Sequence, residues 1–442
     1  MDVQSLLLLR PLSVFMCFVA LITLRKEHLA GRSWLLWGLG SIMAAALLHL
    51  IPLPPAMWQA LPGREDVIAV EKLTGLSDVW RPLTLTPMNG WHAFAALFTP
   101  LAVLLWGLQL SRDDLFRCLT LLIGFGALSG LFGLFQAIGD PKGPLYFYRI
   151  TNNGSAVGLF ANRNHAAMLL ACLLPMLALY AAAFAANDAQ LRRRRLVAVV
   201  IAIVLVPLIL VTGSRSGLLL ALIGLGAAAF LYRQTAAPLA ASKKQGKFGN
   251  GLVLGGAVAA VISLGFVTYI FSRAEALNRL FAGSGSEDIR TDFWAVSIDL
   301  FWKYFPTGSG SGSFVEAFQI AEPNAYLDST YLNHAHNDWI EVAMTWGLPG
   351  LMLIAGAIWL YVRQIIAVWK RADSRHRPVA MARMASVLLV ILALGSFADY
   401  PLRTPSMMAV FVIVSLWLVE AGRGKMAVAT GTASADRARE AH

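Results

Sequence analysis

The chain has 442 residues, of which 57% are hydrophobic and only 14% charged, with a mean hydropathy of +0.63 and a net charge of +11. Those proportions exclude a soluble protein built on one large core. Apolar runs of the length that crosses a bilayer, about 20 residues as helix, recur along it and predict an all-α polytopic membrane protein. The strands of a membrane barrel would be shorter and would alternate in polarity, which these runs do not.

Eleven spans are predicted, at about 5–24, 34–52, 91–110, 119–138, 165–186, 196–212, 217–232, 251–271, 340–362, 383–398 and 406–420. A twelfth would extend the bundle without changing its class. The first run is longer than a signal-peptide core and lacks a small-residue cleavage site, so it reads as a retained helix. All of 1–442 is taken as one integral membrane domain. Cys17, Cys118 and Cys172 lie in or beside apolar runs, with neither a pairing pattern nor metal-ligand spacing.

Orientation follows from the basic residues. Arg25, Lys26 and Arg32, then Arg112 and Arg117, then Arg192 to Arg195 all fall in linkers on one side. Arg233, Lys243, Lys244 and Lys247 share that side, as do Arg363, Lys370, Arg371, Arg375, Arg377, Arg383 and the tail residues Arg423, Lys425, Arg437 and Arg439. With 23 of the 36 basic residues there, that side is the expected cytoplasmic one, and the positive balance is a topology signal. Contact with anionic membrane lipids is expected and nucleic acid binding is not. The tail at 421–442 reads as disordered by composition.

The opposite face carries the longer loops, about 53–90, 139–164 and 272–339, which are richer in Pro, Gly and aromatic residues. Within the last of these, Asp292–Tyr304 has Phe293, Trp294, Ile298, Phe301 and Trp302 at helical spacing and predicts a helix lying at the membrane interface. Pro306-Thr-Gly-Ser-Gly-Ser-Gly-Ser313 then breaks the helix into a flexible turn. As a linker it needs no further role; as a phosphate loop it lacks a Lys-Ser/Thr pair after the glycines.

The chemistry concentrates at Tyr331-Leu-Asn-His-Ala-His-Asn-Asp-Trp-Ile-Glu341, continued by Trp346-Gly-Leu-Pro-Gly350, where that loop re-enters an apolar segment. Asp338 followed by Glu341 predicts a capping-box start for the helix. His336 would then stand just ahead of a helix N-terminus, whose dipole favours neutral imidazole, the form of a general base. His334, His336 and Asp338 alternate, so an extended segment would turn all three to one side as zinc ligands. A third reading is a loop histidine packed on Trp339. No further Cys or His cluster completes a metal site.

Arginines on the same face suit a different task. Arg215 lies in Val211-Thr-Gly-Ser-Arg-Ser-Gly217 between two apolar runs, a depth at which charge marks function. Arg163 in Phe160-Ala-Asn-Arg-Asn-His165, Arg290 before the predicted interfacial helix, and Arg403 in Asp399-Tyr-Pro-Leu-Arg-Thr-Pro405 complete the set. Guanidinium forks bind phosphate oxygens bidentately, so the set suits an anionic, lipid-linked substrate.

In this order the motifs resemble the O-antigen ligase/polymerase family, comprising the WaaL-type ligases and related exopolysaccharide polymerases. The resemblance rests on Phe160–His165, Thr212–Gly217, Arg290-Thr-Asp-Phe-Trp294, Pro306–Phe314, His334–Glu341 and Trp346–Gly350, with Asp399–Pro405 a looser fit. It implies a metal-independent glycosyltransferase, needing no cofactor, on the periplasmic face of the bacterial inner membrane. Such enzymes move a glycan from undecaprenyl diphosphate to a hydroxyl on lipid A–core, another glycan or a protein. It assigns the base to His336 and the diphosphate to Arg215 and Arg290, with Arg163 closer to the exopolysaccharide and protein-glycan members. His334, Asn337, Asp338 and Arg403 are expected to support them. The ligases usually have twelve spans with both termini cytoplasmic, whereas eleven spans place this N-terminus outside. Two other classes remain open from the sequence: a transporter or flippase of lipid-linked sugars, and a zinc-dependent membrane hydrolase using His334 and His336.

Overall fold

The computed structural model describes residues 4–148, 152, 154–182, 185, 187–236, 285–327 and 331–422, with side chains throughout except at 4, 285–291 and 326. The first half comprises α1 (Gln4–Thr23), α2 (Lys26–Leu29), α3 (Ser33–Leu48), α4 (Pro55–Trp58), α5 (Glu65–Thr74), α6 (Pro87–Ala96), α7 (Phe98–Gln109) and α8 (Arg112–Ile138). The second comprises α9 (Arg163–Ala182), α10 (Asp188–Val211), α11 (Arg215–Thr235), α12 (Gly285–Tyr304), α13 (Phe314–Ala321), α14 (Asp338–Trp369), α15 (Arg377–Ala398) and α16 (Pro405–Glu420). Among the described residues a single short antiparallel ladder pairs β1 (Pro52–Leu53) with β2 (Arg81–Pro82).

Among the described residues eight helical stretches are long and apolar enough to cross a membrane, with α6 and α7 running together as one. The shorter apolar helices α3 and α16 add two more. These ten coincide with ten of the eleven predicted runs, so the chain is a multi-pass all-α membrane protein. The run at 251–271 lies outside the described residues, as do Lys243, Lys244, Lys247 and most of the predicted tail. Several helices extend past their apolar cores because the ends are capped. Ser111, Asn187 and Ser214 each accept a backbone N–H from the first turn of α8, α10 and α11.

The two ends of the bundle differ in chemistry. At one, Arg32 is sunk between α3, α7 and α16, donating to Glu420 at 3.0 Å and to the carbonyl of Leu108. Arg112 reaches the other oxygen of Glu420, Arg377 pairs with Asp113, and Arg383 donates to Gln234. Basic linkers distant in sequence therefore meet at one end. At the other end α9, α11, α14 and α16 all begin. α9 is the axis, buried along nearly its whole length and packed most extensively on α11. Its first residues consequently stand at the centre of that end.

Two expectations about the 306–350 region are corrected. Pro306–Ser313 is a packed wedge rather than a flexible turn. Its glycines at 308, 310 and 312 take positive φ values, and Ser309, Ser311 and Ser313 are buried. It seats against a break in α14, where Gly347 leaves helical geometry at φ 58° and ψ −141°. Ser309 N–H donates to Met344 O, Gly310 N–H to Thr345 O, and Leu348 N–H to Pro306 O at 2.8 Å. The backbone groups released by the break are thus satisfied by the wedge, as apolar surroundings require. The wedge is held from behind by Thr84, whose hydroxyl donates to Ser311 O, and by His49, whose Nδ1 accepts from Ser311 N–H. Burial pulls the pKa of His49 down to about 4, so this ring is the neutral acceptor the bond needs.

The second correction concerns the start of α14. The cap is Asn337, whose side chain accepts from the N–H of Trp339 and Ile340, and not an Asp338/Glu341 box. Asn337 takes the cap because both carboxylates are engaged elsewhere, as described below. The helix predicted at Asp292–Tyr304 is present as the second half of α12. Leu300 and Tyr304 enter a small core with Phe314, Phe318, Ala335 and Met344, while Ile298 and Trp302 are exposed.

Gly310 is the most sensitive point of the wedge. Its φ is +98°, and an added Cβ would meet the backbone and side chain of Thr84. Gly310→Ala is expected to lower stability by about 1–3 kcal/mol, read as a fall in the thermal unfolding midpoint of the detergent-purified protein. An unchanged midpoint would contradict the packing described here.

Candidate functional site

The site is assembled by the loop entering α14, the start of α9 and the turn between α15 and α16. Its hub is Asp399, the residue that closes α15 and is 1% exposed. Its Oδ2 accepts from Asn162 Nδ2 at 2.9 Å and Asn164 Nδ2 at 2.6 Å. Its Oδ1 accepts the N–H of Tyr400 and lies 3.1 Å from His336 Nδ1, with His165 Nε2 at 3.7 Å. Burial alone would raise the pKa of this carboxyl. The bonds and charge of His165 and His336 outweigh it and hold the group well below the ordinary carboxylate range. Asp399 is therefore an anion across the whole range in which imidazoles titrate.

His336 sits at φ 48°, a left-handed conformation uncommon outside glycine, directly before the Asn337 cap. That reversal undoes the period of two on which the shared zinc reading depended. His334 Nδ1 pairs with Glu341 Oε1 at 3.0 Å, whereas His336 Nδ1 turns to Asp399. Asp338 is committed to Arg403 Nε at 2.9 Å and to the Ser396 hydroxyl. Among the described residues no three Cys, His, Asp or Glu side chains are placed to share a metal ion. Trp339 stacks on Phe397 and donates to Ala393 O, so it is not the packing partner of His336. That partner is Tyr400, whose ring lies 5.1 Å from His336, 4.2 Å from His334 and 5.1 Å from His165.

Tyr400 is a buried spacer rather than an acid. Burial and the Asp399 charge push its phenol up to about 12, and its oxygen accepts from Asn333. Arg403 is bound by two carboxylates, Asp338 and Glu341 Oε1 at 3.1 Å. Burial works against its charge, but those two anions prevail and hold it above the usual arginine value. Its charge is consequently used to fasten the start of α14 to the α15–α16 turn.

The other arginines gather at neighbouring helix starts. Arg163 opens α9 between Asn162 and Asn164, both held by Asp399, and its Nη1 lies beside the Gly213 turn. Arg215 opens α11 two residues after that turn, half-buried. Arg290 lies on α12 one turn before Trp294, whose indole donates to Ala335 O between the two histidines. Its side chain is outside those described. The structure thus brings His336, Arg163 and Arg215 to one end of the bundle, with the backbone of Arg290 close to the histidine segment.

Sequence reasoning named Asp399 only as the first residue of a loosely matching motif and did not assign it, Tyr400, Glu341, Asn162 or Asn164 a role at the histidines. A lone Asp at the end of an apolar run gives no local sign of its partner 63 residues away. The available signal was the charge itself, expensive at that depth unless paired.

The dominance of Asp399 gives a signed expectation. A carboxyl with a depressed folded-state pKa contributes stability above its unfolded value of about 4 and loses it as pH falls through the folded value. The stability difference between the wild type and Asp399→Asn is expected to be greatest near neutrality and to shrink as pH drops below about 4. A difference that grows on acidification would refute the charged state assigned to Asp399.

Residues 201–355 match the sequence model of the family described as O-antigen ligase. The matched region runs from within α10 to just past the break in α14 and includes Arg215, Arg290, His334 and His336. Arg163 and Asp399 fall outside it. None of the curated proteins matches this chain. The family match supports membership of the O-antigen ligase family, and with it an enzyme with a ligase- or polymerase-type role in polysaccharide biosynthesis, acting on lipid-linked glycan and acceptor substrates.

Proposed function

We propose that this member of the O-antigen ligase family transfers a glycan from undecaprenyl diphosphate to an acceptor hydroxyl at the periplasmic face of the inner membrane, without a metal. The observation that carries the reading is the His336–Asp399 pair. With Nδ1 committed to a buried carboxylate, the protonated nitrogen of the neutral ring is fixed there, and Nε2 is left as the basic nitrogen. A group placed in this way takes the proton of the acceptor hydroxyl as its oxygen attacks the anomeric carbon. Asp399 stays ionised and stabilises the imidazolium that forms.

The diphosphate already activates the donor, so the remaining demand is a partner for the charge that develops on the departing oxygens. Arg215 and Arg290 supply it, with Arg163 beside them at the start of α9. Attack by the acceptor in one step inverts the anomeric centre. The starts of α9, α11 and α14 at this end add the positive poles of three helix dipoles near the same anion. The acceptor is a hydroxyl of lipid A–core, of a second glycan or of a protein. Product size separates a single ligation from polymerisation.

His336→Ala is expected to lower kcat by about 10²–10⁴-fold in reconstituted vesicles carrying the lipid-linked donor, with the protein still inserted. His334→Ala, whose ring is tied to Glu341, should have the smaller effect on kcat. The reverse order would transfer the base to His334. Asp399→Asn should lower kcat, because the ring loses the anion that holds its Nδ1–H and stabilises the imidazolium formed during transfer. An unchanged kcat would remove Asp399 from the mechanism.

Arg215→Ala is expected to reduce kcat/KM by at least about tenfold through loss of one charge-assisted contact to the leaving group. Activity should survive EDTA. Inhibition by EDTA that added Mg²⁺ or Zn²⁺ reverses would overturn the metal-independent reading, and donor movement across the vesicle without product would indicate transport.

A further inference from the structure

The segment joining α3 to α6 contains a charged site that the reaction above does not use. Helix α5 in this segment exposes Glu65, Asp66 and Lys72 together with two large apolar side chains, and buries a charge. Its inward residue is Glu71, 3% exposed and paired with Arg81, while Val70 and Leu73 point out, followed by exposed Leu76 and Trp80. Beneath α5 is a small solvent-open cavity of about 40 Å³, lined by Trp58, Arg64, Val67, Arg81, Thr84 and Leu85 among others.

Arg64 is only 3% exposed. One of its terminal nitrogens donates to Leu83 O, its Nε has no partner, and no carboxylate pairs with it among the described residues. Tyr304 is the neighbouring titratable group, and burial keeps its phenol protonated and therefore uncharged. Lys303 and Asp66 nearby neutralise each other. A guanidinium withdrawn from water without a counter-charge is disfavoured by several kcal/mol, and an apolar side chain of similar volume would serve packing at least as well. Of the carboxylates near the cavity, Glu71 is already taken by Arg81 and Asp66 by Lys303, while Glu65 is exposed to water.

We propose that Arg64 and Arg81 form a binding site for a phosphate-class oxyanion. Arg64 and Arg81 line one space, and of the two only Arg81 has a carboxylate partner, which leaves Arg64 with an uncompensated guanidinium and an unused N–H for such a group. Like Val70 and Leu73, Leu48 at the end of α3, Ile51 after it, and Met88 and Trp91 in α6 are exposed apolar side chains, so a lipid headgroup is one source of such an anion. A water-soluble phosphate or a phosphorylated glycan shares the chemistry. The cavity shares no lining residue with the His336 site, and it touches the wedge at Pro306–Ser313 through Thr84. An occupied site would brace the wedge from behind.

The full-length protein, purified in detergent, is titrated with inorganic phosphate against chloride at constant ionic strength while thermal unfolding is followed. Co-purified phospholipid is counted by native mass spectrometry. The wild type is expected to show a saturable rise in midpoint. Arg64→Met should lose that response while its unliganded midpoint is no lower than that of the wild type, since a buried unpaired charge has been removed. Glu71→Gln should bind phosphate several-fold more tightly, because Arg81 is released. One retained phospholipid per protein, lost in Arg64→Met and displaced by phosphate, identifies the headgroup as the source. A phosphate response without retained lipid identifies a soluble one.

A wild type with neither response nor retained lipid, or an Arg64→Met variant that responds like the wild type, overturns the site and leaves the cavity to water. Should Arg64→Met fail to fold, an unchanged phosphate midpoint in Glu71→Gln overturns it equally.

Discussion

The arrangement of the site depends on one buried anion. Asp399 terminates α15 at a depth where water is scarce, and a carboxylate there is stable only if its oxygens are filled with donors. The donors come from three places: Asn162 and Asn164 at the start of α9, the N–H of Tyr400, and the ring of His336. Meeting the need of one side chain therefore fixes the α9 start, the α15–α16 turn and the entry to α14 relative to one another. Arg163, lying between the two asparagines, has its backbone set by the same bonds. The position of the imidazole and that of an arginine beside it are not independent features.

A second constraint sets the entry to α14. An apolar helix broken at Gly347 releases backbone groups that lipid cannot satisfy, and the wedge of alternating glycines and serines supplies their partners. The glycines are needed because the chain crosses Thr84 and the break at positive φ; the serines are small enough to be buried and bond within the wedge. The first turns of α14 are thereby wedged at the Gly347 break on one side and capped by Asn337 on the other. Only ten residues separate the two, so the histidine segment is held close to a rigid point. This explains how a loop residue such as His336 keeps a left-handed backbone: its neighbours on both sides are fixed.

Much of this was legible in the sequence, and what was missed has a common cause. The apolar runs, the basic side of the bundle and the helix at Asp292–Tyr304 are local properties, written in composition and periodicity, and they emerge as expected. Pro306–Ser313 and Trp346–Gly350 were each visible as punctuation, but not as partners, because a backbone-to-backbone seam leaves no side-chain pattern. The Asp338/Glu341 capping box had the right spacing and failed because Arg403, 65 residues on, takes both carboxylates. Asp399 escaped notice for the same reason: its meaning lies in partners brought from α9 and from the loop before α14. Long-range pairing of charge is what a one-dimensional reading does not contain.

The two histidines show how such pairing divides labour between side chains of the same type. Each ring has a carboxylate on Nδ1 and an edge or face on Tyr400, so ring chemistry alone does not rank them. Their carboxylates do. Glu341 already accepts the N–H of Ala335 and a guanidinium nitrogen of Arg403, and it belongs to a chain of ion pairs that binds the start of α14 to the α15–α16 turn. His334 is one more link in that chain, and its protonation would be felt as a change in the joint. Among the described residues no arginine pairs with Asp399; besides His336 its donors are two side-chain amides and the N–H of Tyr400, with His165 Nε2 at 3.7 Å. An imidazolium formed at His336, 3.1 Å from Oδ1, would lie closer to that anion than His165 does. A proton gained during transfer is stabilised most where the anion beside it is not already neutralised, and that is the physical ground for proposing His336 rather than His334 as the base.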